Sequence, residues 1–321
     1  SLIQNKDKKI FSYSNDGNIL LSKVNKINSY LLNAPDIFIN NSKTPISKYC
    51  PKMSYGSIGY DDNLFSFNNK KYLDNFLKDQ PEAKKFIRKY MGSVEMINKE
   101  ERWCLWLENI SPNEIKKFKK IKNIVEQVKA YRLSSDRQAT KNAAKTPYLF
   151  GEIRQPKNDY IGIPKVSSIR RLYVPIELIS KEVIANGSLN VIDKQDKFIF
   201  GILSSSIYAV WLKYIGGKMK SDYQNSIGIV YNNLPIPKFI DPKVKKNVEE
   251  VVYELLDLRQ KYSNQTLADL YNPDSMPKDI SEMLRKLDKA VFKSFNKNFS
   301  NEEQIIEYLI NMHNELTNNS R

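Results

Sequence analysis

The apolar residues of this chain change period twice, and that change limits the folds open to it. From Pro112 to about residue 133, Ile115, Phe118, Ile121, Val125, Val128 and Tyr131 recur at helical spacing with lysines between them. Ser111 can cap that helix, Pro112 suits its first position, and Glu114 completes a capping box. Between 147 and about 204 the texture differs. Tyr160-Ile161-Gly162-Ile163, Leu172-Tyr173-Val174-Pro175-Ile176, Leu189-Asn190-Val191-Ile192 and Phe198-Ile199-Phe200 are short apolar runs separated by turn residues, which predicts several β-strands in an antiparallel or mixed sheet. Beyond Pro235, Pro237 and Pro242 the helical period returns. Val244, Val248, Val251, Val252, Leu255 and Leu258 form one stripe, and Leu284, Leu287, Val291 and Phe295 another. Ser300 with Glu303 caps a last helix carrying Ile305, Ile306, Leu309 and Met312.

The fold class is therefore α+β: a mixed or antiparallel sheet domain followed by a small all-helical one, with no fixed repeat. Between these landmarks, Asp74–Leu77 and Pro81–Tyr90 are predicted helical, with Gly92 as the stop. Residues 51–59 read as loop and Ser206–Tyr214 as helix, ended by Gly216-Gly217. Tyr231-Asn232-Asn233-Leu234-Pro235 reads as a passage from strand to linker. Near the start, Tyr30-Leu31-Leu32 and Ile37-Phe38-Ile39 suggest a strand or two.

With 321 residues, 41% of them hydrophobic, the chain has enough apolar material for a real core. No run approaches the ~18 apolar residues of a membrane span. Ser1-Leu2-Ile3-Gln4-Asn5-Lys6 has no signal pattern, and the missing initiator Met reads as an excised fragment, although a trimmed N-terminus would look the same. Cys50 and Cys104 form no Cys-x-x-Cys pair and His313 is the sole histidine, so a zinc site or disulfide scaffold is not expected. Both thiols fit the reducing cytoplasm, buried or half-buried. Lys and Arg total 51 against 36 acids, a formal +15. That excess suits a polyanion such as nucleic acid, and it suits equally the solubility charge of a Lys- and Asn-rich protein.

Catalytic signatures are missing. There is no Gly-x-x-x-x-Gly-Lys-Ser/Thr phosphate loop, and a Ser-His-Asp arrangement would depend on His313 in an amphipathic helix. An amino-methyltransferase needs a motif of the Asn/Asp/Ser-Pro-Pro-Tyr/Phe type. Tyr271-Asn272-Pro273-Asp274 lacks its second proline and final aromatic and reads as a turn. Asp61 with Asp62, and Glu100 with Glu101, are adjacent and point apart, so neither pair makes a metal site. Trp103, Trp106, Tyr208, Trp211 and Tyr214 could be stacking platforms, but their spacing favours core packing.

Several strings together resemble the C-terminal half of MmeI-like restriction–modification enzymes. They are Asn33-Ala34-Pro35-Asp36, Pro51-Lys52-Met53-Ser54-Tyr55-Gly56, Arg102-Trp103-Cys104-Leu105-Trp106-Leu107, Phe150-Gly151-Glu152-Ile153-Arg154-Gln155-Pro156, Ile163-Pro164-Lys165-Val166-Ser167-Ser168, Gly201-Ile202-Leu203-Ser204-Ser205, Lys220-Ser221-Asp222-Tyr223 and Val230-Tyr231-Asn232-Asn233-Leu234-Pro235-Ile236-Pro237. The resemblance implies residues 1–40 as a connector from a methyltransferase domain, 41–238 as a target recognition domain and 239–321 as a C-terminal helical domain. It implies double-stranded DNA as partner, with an adenine-N6 methyltransferase and a nuclease elsewhere in the parent. S-adenosylmethionine and Mg2+ would serve those units, with no cofactor, metal or catalytic residue in this segment. The alternative is a specificity subunit of a Type I-like system, which would ordinarily show two recognition domains.

For single residues the resemblance is narrower. Ile169 and Arg171, after the paired serines, match positions that choose a base pair, and Arg137 matches a third. The family often has an acid where Ile169 stands, so the base read there should differ. Arg can bond bidentately to guanine, whereas Ile can only touch a thymine methyl. On a strand, Arg170 and Arg171 would face opposite ways, so at most one reads a base. Lys165, Arg154, Lys141, Lys218 and Lys220 are phosphate candidates, because backbone contacts need charge but little geometry.

Overall fold

The computed structural model describes residues 8–13, 19–24, 27–28 and 38–318. Residues 1–7, Tyr30-Leu31-Leu32, Asn33-Ala34-Pro35-Asp36 and Ile37 lie outside the described residues. A hairpin pairs β1 (Lys8–Tyr13) with β2 (Ile19–Val24). After β3 (Met53–Tyr55) and β4 (Ser66–Phe67), helix α1 (Lys70–Lys78) starts where the Asn69 side chain accepts from the amide of Tyr72. β5 (Ile87–Met91), α2 (Ser93–Asn98) and β6 (Trp103–Leu105) precede α3 (Pro112–Ile115), α4 (Lys119–Ser134) and α5 (Gln138–Ala143). The middle carries β7 (Tyr160–Pro164), β8 (Val166–Ser167), β9 (Glu177–Ile179), β10 (Ile184–Ala185) and β11 (Leu189–Asp193). Then come α6 (Lys197–Ser204), α7 (Ser206–Ile215), β12 (Gly217–Met219), β13 (Asp222–Gln224), α8 (Pro242–Lys261), α9 (Leu267–Leu270), α10 (Lys278–Ser294) and α11 (Glu302–Asn318).

The mixed-sheet expectation holds. One sheet, β3-β11-β7-β9, is antiparallel throughout, and a second, β10-β5-β6-β4, has a parallel pair only between β10 and β5. A three-stranded ribbon runs β12-β13-β8. Every residue of β7 is buried, which explains its unbroken apolar run.

Two hydrophobic cores result. The larger joins the first sheet to α6, α7 and the C-terminal helices. The smaller gathers Phe65, Phe76, Leu105, Ile121, Val128 and Phe150 around the second sheet and α4. The larger core crosses residue 238 without a break. At Gly201 of α6, an added Cβ would lie 2.6 Å from a Val248 methyl of α8, so only glycine permits this helix contact. Trp211 and Tyr208 are fully buried in this core, and Trp103 and Trp106 pack on the smaller one, as their spacing suggested.

Several predicted elements differ. The helix expected over 112–133 is broken: Phe118 leaves helical geometry (φ −109, ψ 96) and packs edge-on against Phe86 at 5.5 Å. Ser111 does accept from the Glu114 amide, but the Glu114 carboxylate pairs with Lys85 instead of closing the box. Pro81–Phe86 is a 3-10 turn, and the rest of that predicted helix is strand β5. Phe198-Ile199-Phe200 is helical, since Asp196 caps α6 through the Ile199 amide at 3.0 Å. Leu172–Ile176 is not a strand. The Tyr231 passage is a π-helical turn, Ile227–Tyr231. Its neighbours Asn232 and Asn233 donate to the carbonyls of Ser42 and Asn40. The last helix is capped by Asn301, which accepts from the Gln304 amide, not by Ser300 with Glu303.

Candidate functional site

A cleft of about 670 Å³ opens between the two cores. One wall comes from the larger core's ribbon, through Val166, Met219 and Gln224. The other comes from the loop 58–63 and from Tyr131 of α4, which is 41% exposed. Tyr131 is thus a surface group, although its helical spacing placed it in the apolar stripe. At the cleft floor, Gly56 lets two backbones meet, since a Cβ there would stand 2.2 Å from the Asn186 carbonyl oxygen.

The loop wall is held by Arg132, which is fully buried. Its Nε donates to the Tyr60 carbonyl at 2.9 Å and its Nη2 to Gly59 and Leu149 at 2.7 and 2.6 Å. Its Nη1 donates to Ala143 and Thr146 at 2.8 and 3.2 Å. The guanidinium has five N–H donors, and all five are used. Burial lowers its pKa, while the Asp61 carboxylate acts in the opposite sense. Asp61 itself is buried, accepts from the Phe65 amide at 2.8 Å, and has its pKa raised by desolvation.

The opposite wall is the β12–β13 hairpin, whose turn follows the Met219–Asp222 pair. Lys220 occupies that turn at φ 56, a left-handed position usually given to Gly, Asn or Asp. Holding lysine there costs about 1 kcal/mol. Beneath the hairpin, Asn225 fixes the floor. It accepts from Tyr208 at 2.6 Å through its side chain and from Asn190 at 2.8 Å through its carbonyl.

Among the expected phosphate contacts, Lys165 lines the cleft with its ammonium 4.1 Å from the Tyr55 ring centroid. Burial, then the charge of Arg154, lowers the Lys165 pKa. Arg154 approaches the same ring at 5.9 Å and pairs with Glu152. Lys218 and Lys220 are exposed on the hairpin, with Lys218 lying 4.6 Å over Tyr223. Lys141 and Arg137 are exposed at α5, where Arg137 occupies the N-cap position, and neither lines the cleft.

Ile169 and Arg171 sit in a turn beyond β8, closed by the Arg171 amide donating to the Ser168 carbonyl at 3.1 Å. The strand geometry weighed for Arg170 and Arg171 therefore does not apply. Ile169 is 46% exposed, and its amide donates to Asp222 of the hairpin at 3.2 Å. Arg171 is half-buried, its pKa lowered by burial and opposed by Asp222. Both line a small pocket of about 70 Å³ with Tyr223 and Lys213. Val166, three residues before Ile169, lines the main cleft, so at most ~10 Å of chain separates the turn from it. Arg170 is exposed and pairs with Asp274.

Sequence reasoning missed Arg132, Tyr55 and Asn225 as site-building residues. Arg132 gave no signal, because an arginine near a helix end reads as solvated. Among the described residues no single helix is long and apolar enough to cross a membrane, and no group of three His, Cys, Asp or Glu could hold a metal ion. α6 and α7, bent by 58° at Ser205, are apolar because they form the centre of the larger core.

The fold thus sets a polar cleft between two cores, with a helical C-terminal layer behind the larger one. The chain belongs to the MmeI family: the MmeI target recognition domain matches residues 33–238, and the MmeI C-terminal domain matches residues 240–320. It is similar to DNA methyltransferase A of Bacillus subtilis (strain 168), with 34% identity over 295 residues that cover 92% of this chain and 33% of that protein. It is also similar to the Type IIL restriction–modification enzyme MmeI solved in complex with DNA, at TM-score 0.90 and 33% identity, over 97% of this chain and 42% of that one. The chain thus spans about a third of the length of its curated relative.

Proposed function

We propose that this chain is the sequence-reading part of a restriction–modification enzyme and that duplex DNA docks on the cleft between its cores. The observation that carries the reading is the fold, which matches DNA-bound MmeI at TM-score 0.90 and opens a polar cleft of about 670 Å³ between its cores. Lys165 faces the cleft beside Asp61 and Asp62, and phosphates are met by it together with Arg154 near the Tyr55 ring, the exposed Lys218 and Lys220 of the hairpin, and Lys141 of α5. Ile169 and Arg171 meet base edges from the turn beside that hairpin, with Arg137 reaching from α5. The exposed Ile169 offers a methyl contact rather than an acceptor. Arg171, half-buried beside it, offers the two parallel donors that suit guanine.

In this reading the module places a target adenine for N6 methylation. S-adenosylmethionine and Mg2+ serve methyltransferase and nuclease units of a longer polypeptide, with which this chain is in contact. The enzyme works in the cytoplasm, where its DNA is. The test is selection of binding sites from random duplex DNA at low salt by the full-length protein and by Arg171→Ala. A short asymmetric motif that relaxes at one base pair in the variant supports base reading by Arg171. Salt-sensitive binding without a motif leaves only the attraction of a chain of net charge +15 for a polyanion and sinks the reading.

A further inference from the structure

The C-terminal helices reach the reading turn through one buried carboxylate. Asp288 of α10 is buried, yet pairs with no basic side chain in the hydrogen bonds the structure gives it. Its Oδ1 accepts from the Ser206 amide at the start of α7 at 2.8 Å. Its Oδ2 accepts from the Tyr173 hydroxyl at 2.8 Å. Tyr173 is buried and stands two residues after Arg171, so no more than ~7 Å of chain joins them. On the other side of the turn, Asp222 of the hairpin accepts from the Ile169 amide. The turn is therefore bracketed by two carboxylates, one from the cleft wall and one from the C-terminal helices. The Arg170–Asp274 pair also ties the turn to the C-terminal region but is exposed on both sides, and such pairs fix little.

We propose that Asp288 is a positioning residue for base choice: through Tyr173 it sets the turn that carries Ile169 and Arg171, so the C-terminal helices take part in selecting the DNA sequence. The proposal rests on the turn being a reader. Desolvation raises the Asp288 pKa, a strain the fold tolerates where an aliphatic side chain would pack at less cost. A cap for α7 alone would need one carboxylate oxygen, and Asp288 commits the second to Tyr173.

Tyr173→Phe isolates that second bond, because it removes one hydroxyl and leaves the ring and the α7 cap. In the full-length protein, random-duplex selection by this variant should lose about 3- to 10-fold preference, the loss of one buried hydrogen bond, at the base pair that Arg171→Ala relaxes. Preference elsewhere and the salt dependence of binding should stay with the parent. In the Arg171→Ala background, Tyr173→Phe should change nothing further, since both act on one contact. Asp288→Asn, which keeps an acceptor for only one of the two donors, should relax the same base pair. A parental motif that survives intact in Tyr173→Phe overturns the proposal, as does a uniform loss of affinity at all positions, which is what a merely structural bond would give. A parent that selects no motif at all overturns the reading of the turn and the proposal with it.

Discussion

Arg132→Met should be the most costly single change in the wall of the cleft. The substitution keeps an unbranched side chain of similar length but removes all five donors from the carbonyls of Gly59, Tyr60, Ala143, Thr146 and Leu149. Bonds from a charged donor contribute about 1.5–3 kcal/mol each, and the acceptors they leave behind are desolvated. Against this, the variant recovers the several kcal/mol spent on burying a guanidinium. The balance is a loss of about 3–5 kcal/mol, the range found when a buried charge network loses its centre. For a chain of this length that lowers the thermal midpoint by about 4–7 °C. Arg132→Lys should fall between, because three donors on one nitrogen cannot span five acceptors arranged around a planar fork. Circular dichroism melts and urea titrations of the three proteins decide the matter. An Arg132→Met midpoint within a degree of the parent, or a lysine variant that matches it, would show that the five bonds do not hold the loop.

Three further outcomes follow from the geometry. Lys220→Gly relieves the left-handed backbone, so the urea midpoint should rise by the equivalent of up to about 1 kcal/mol. The slope of log affinity for DNA against log salt should at the same time shallow by about 0.9, one phosphate contact. Burial raises Asp288 to about 6 from 3.8, so between those values the folded chain keeps a proton that the unfolded chain has lost. Its contribution to stability therefore grows as pH falls through that window. Burial pushes His313 down to about 4 from 6.5. There the unfolded chain takes up the proton first, and stability is lost over nearly the same window. Each effect is worth up to about 3 kcal/mol, so the acid limb should steepen in Asp288→Asn and flatten in His313→Gln when urea midpoints are compared near pH 4.5 and 7.5. Gly201→Ala should cost about 1–3 kcal/mol by forcing α6 from α8, read as a lower melting midpoint.

Elements whose neighbours are close in sequence were legible. Val248, Val251, Val252 and Leu255 on α8, and Leu284, Leu287 and Val291 on α10, form stripes that the structure buries. β7 and β11 were legible as short apolar runs. Phe198-Ile199-Phe200 was misread because α6 is buried on all sides, and such a helix has no polar face to betray its period. The break at Phe118 comes from a ring 32 residues away at Phe86, which no local pattern could show. Leu172–Ile176 is apolar like a strand, but Tyr173 is tied to Asp288, 115 residues distant. The site divides in the same way. Lys165, which lines the cleft, could be named from charge and resemblance, whereas Arg132 works through carbonyls 11 to 73 residues off. The cleft is in large part backbone brought together, and backbone leaves no mark in a sequence.

The core that passes unbroken from the sheet through α6 and α7 into α8 and α10 has a genetic consequence. Recombination between two such genes at the codons for residues 238–242 would marry α6 to an unfamiliar α8, across a contact that leaves no room for one methyl group at Gly201. Hybrids of that kind should be purged, and the stretch from the first sheet to α11 should be inherited as one block. Point changes are better tolerated at exposed positions such as Lys218 and Lys220, which no part of either core encloses.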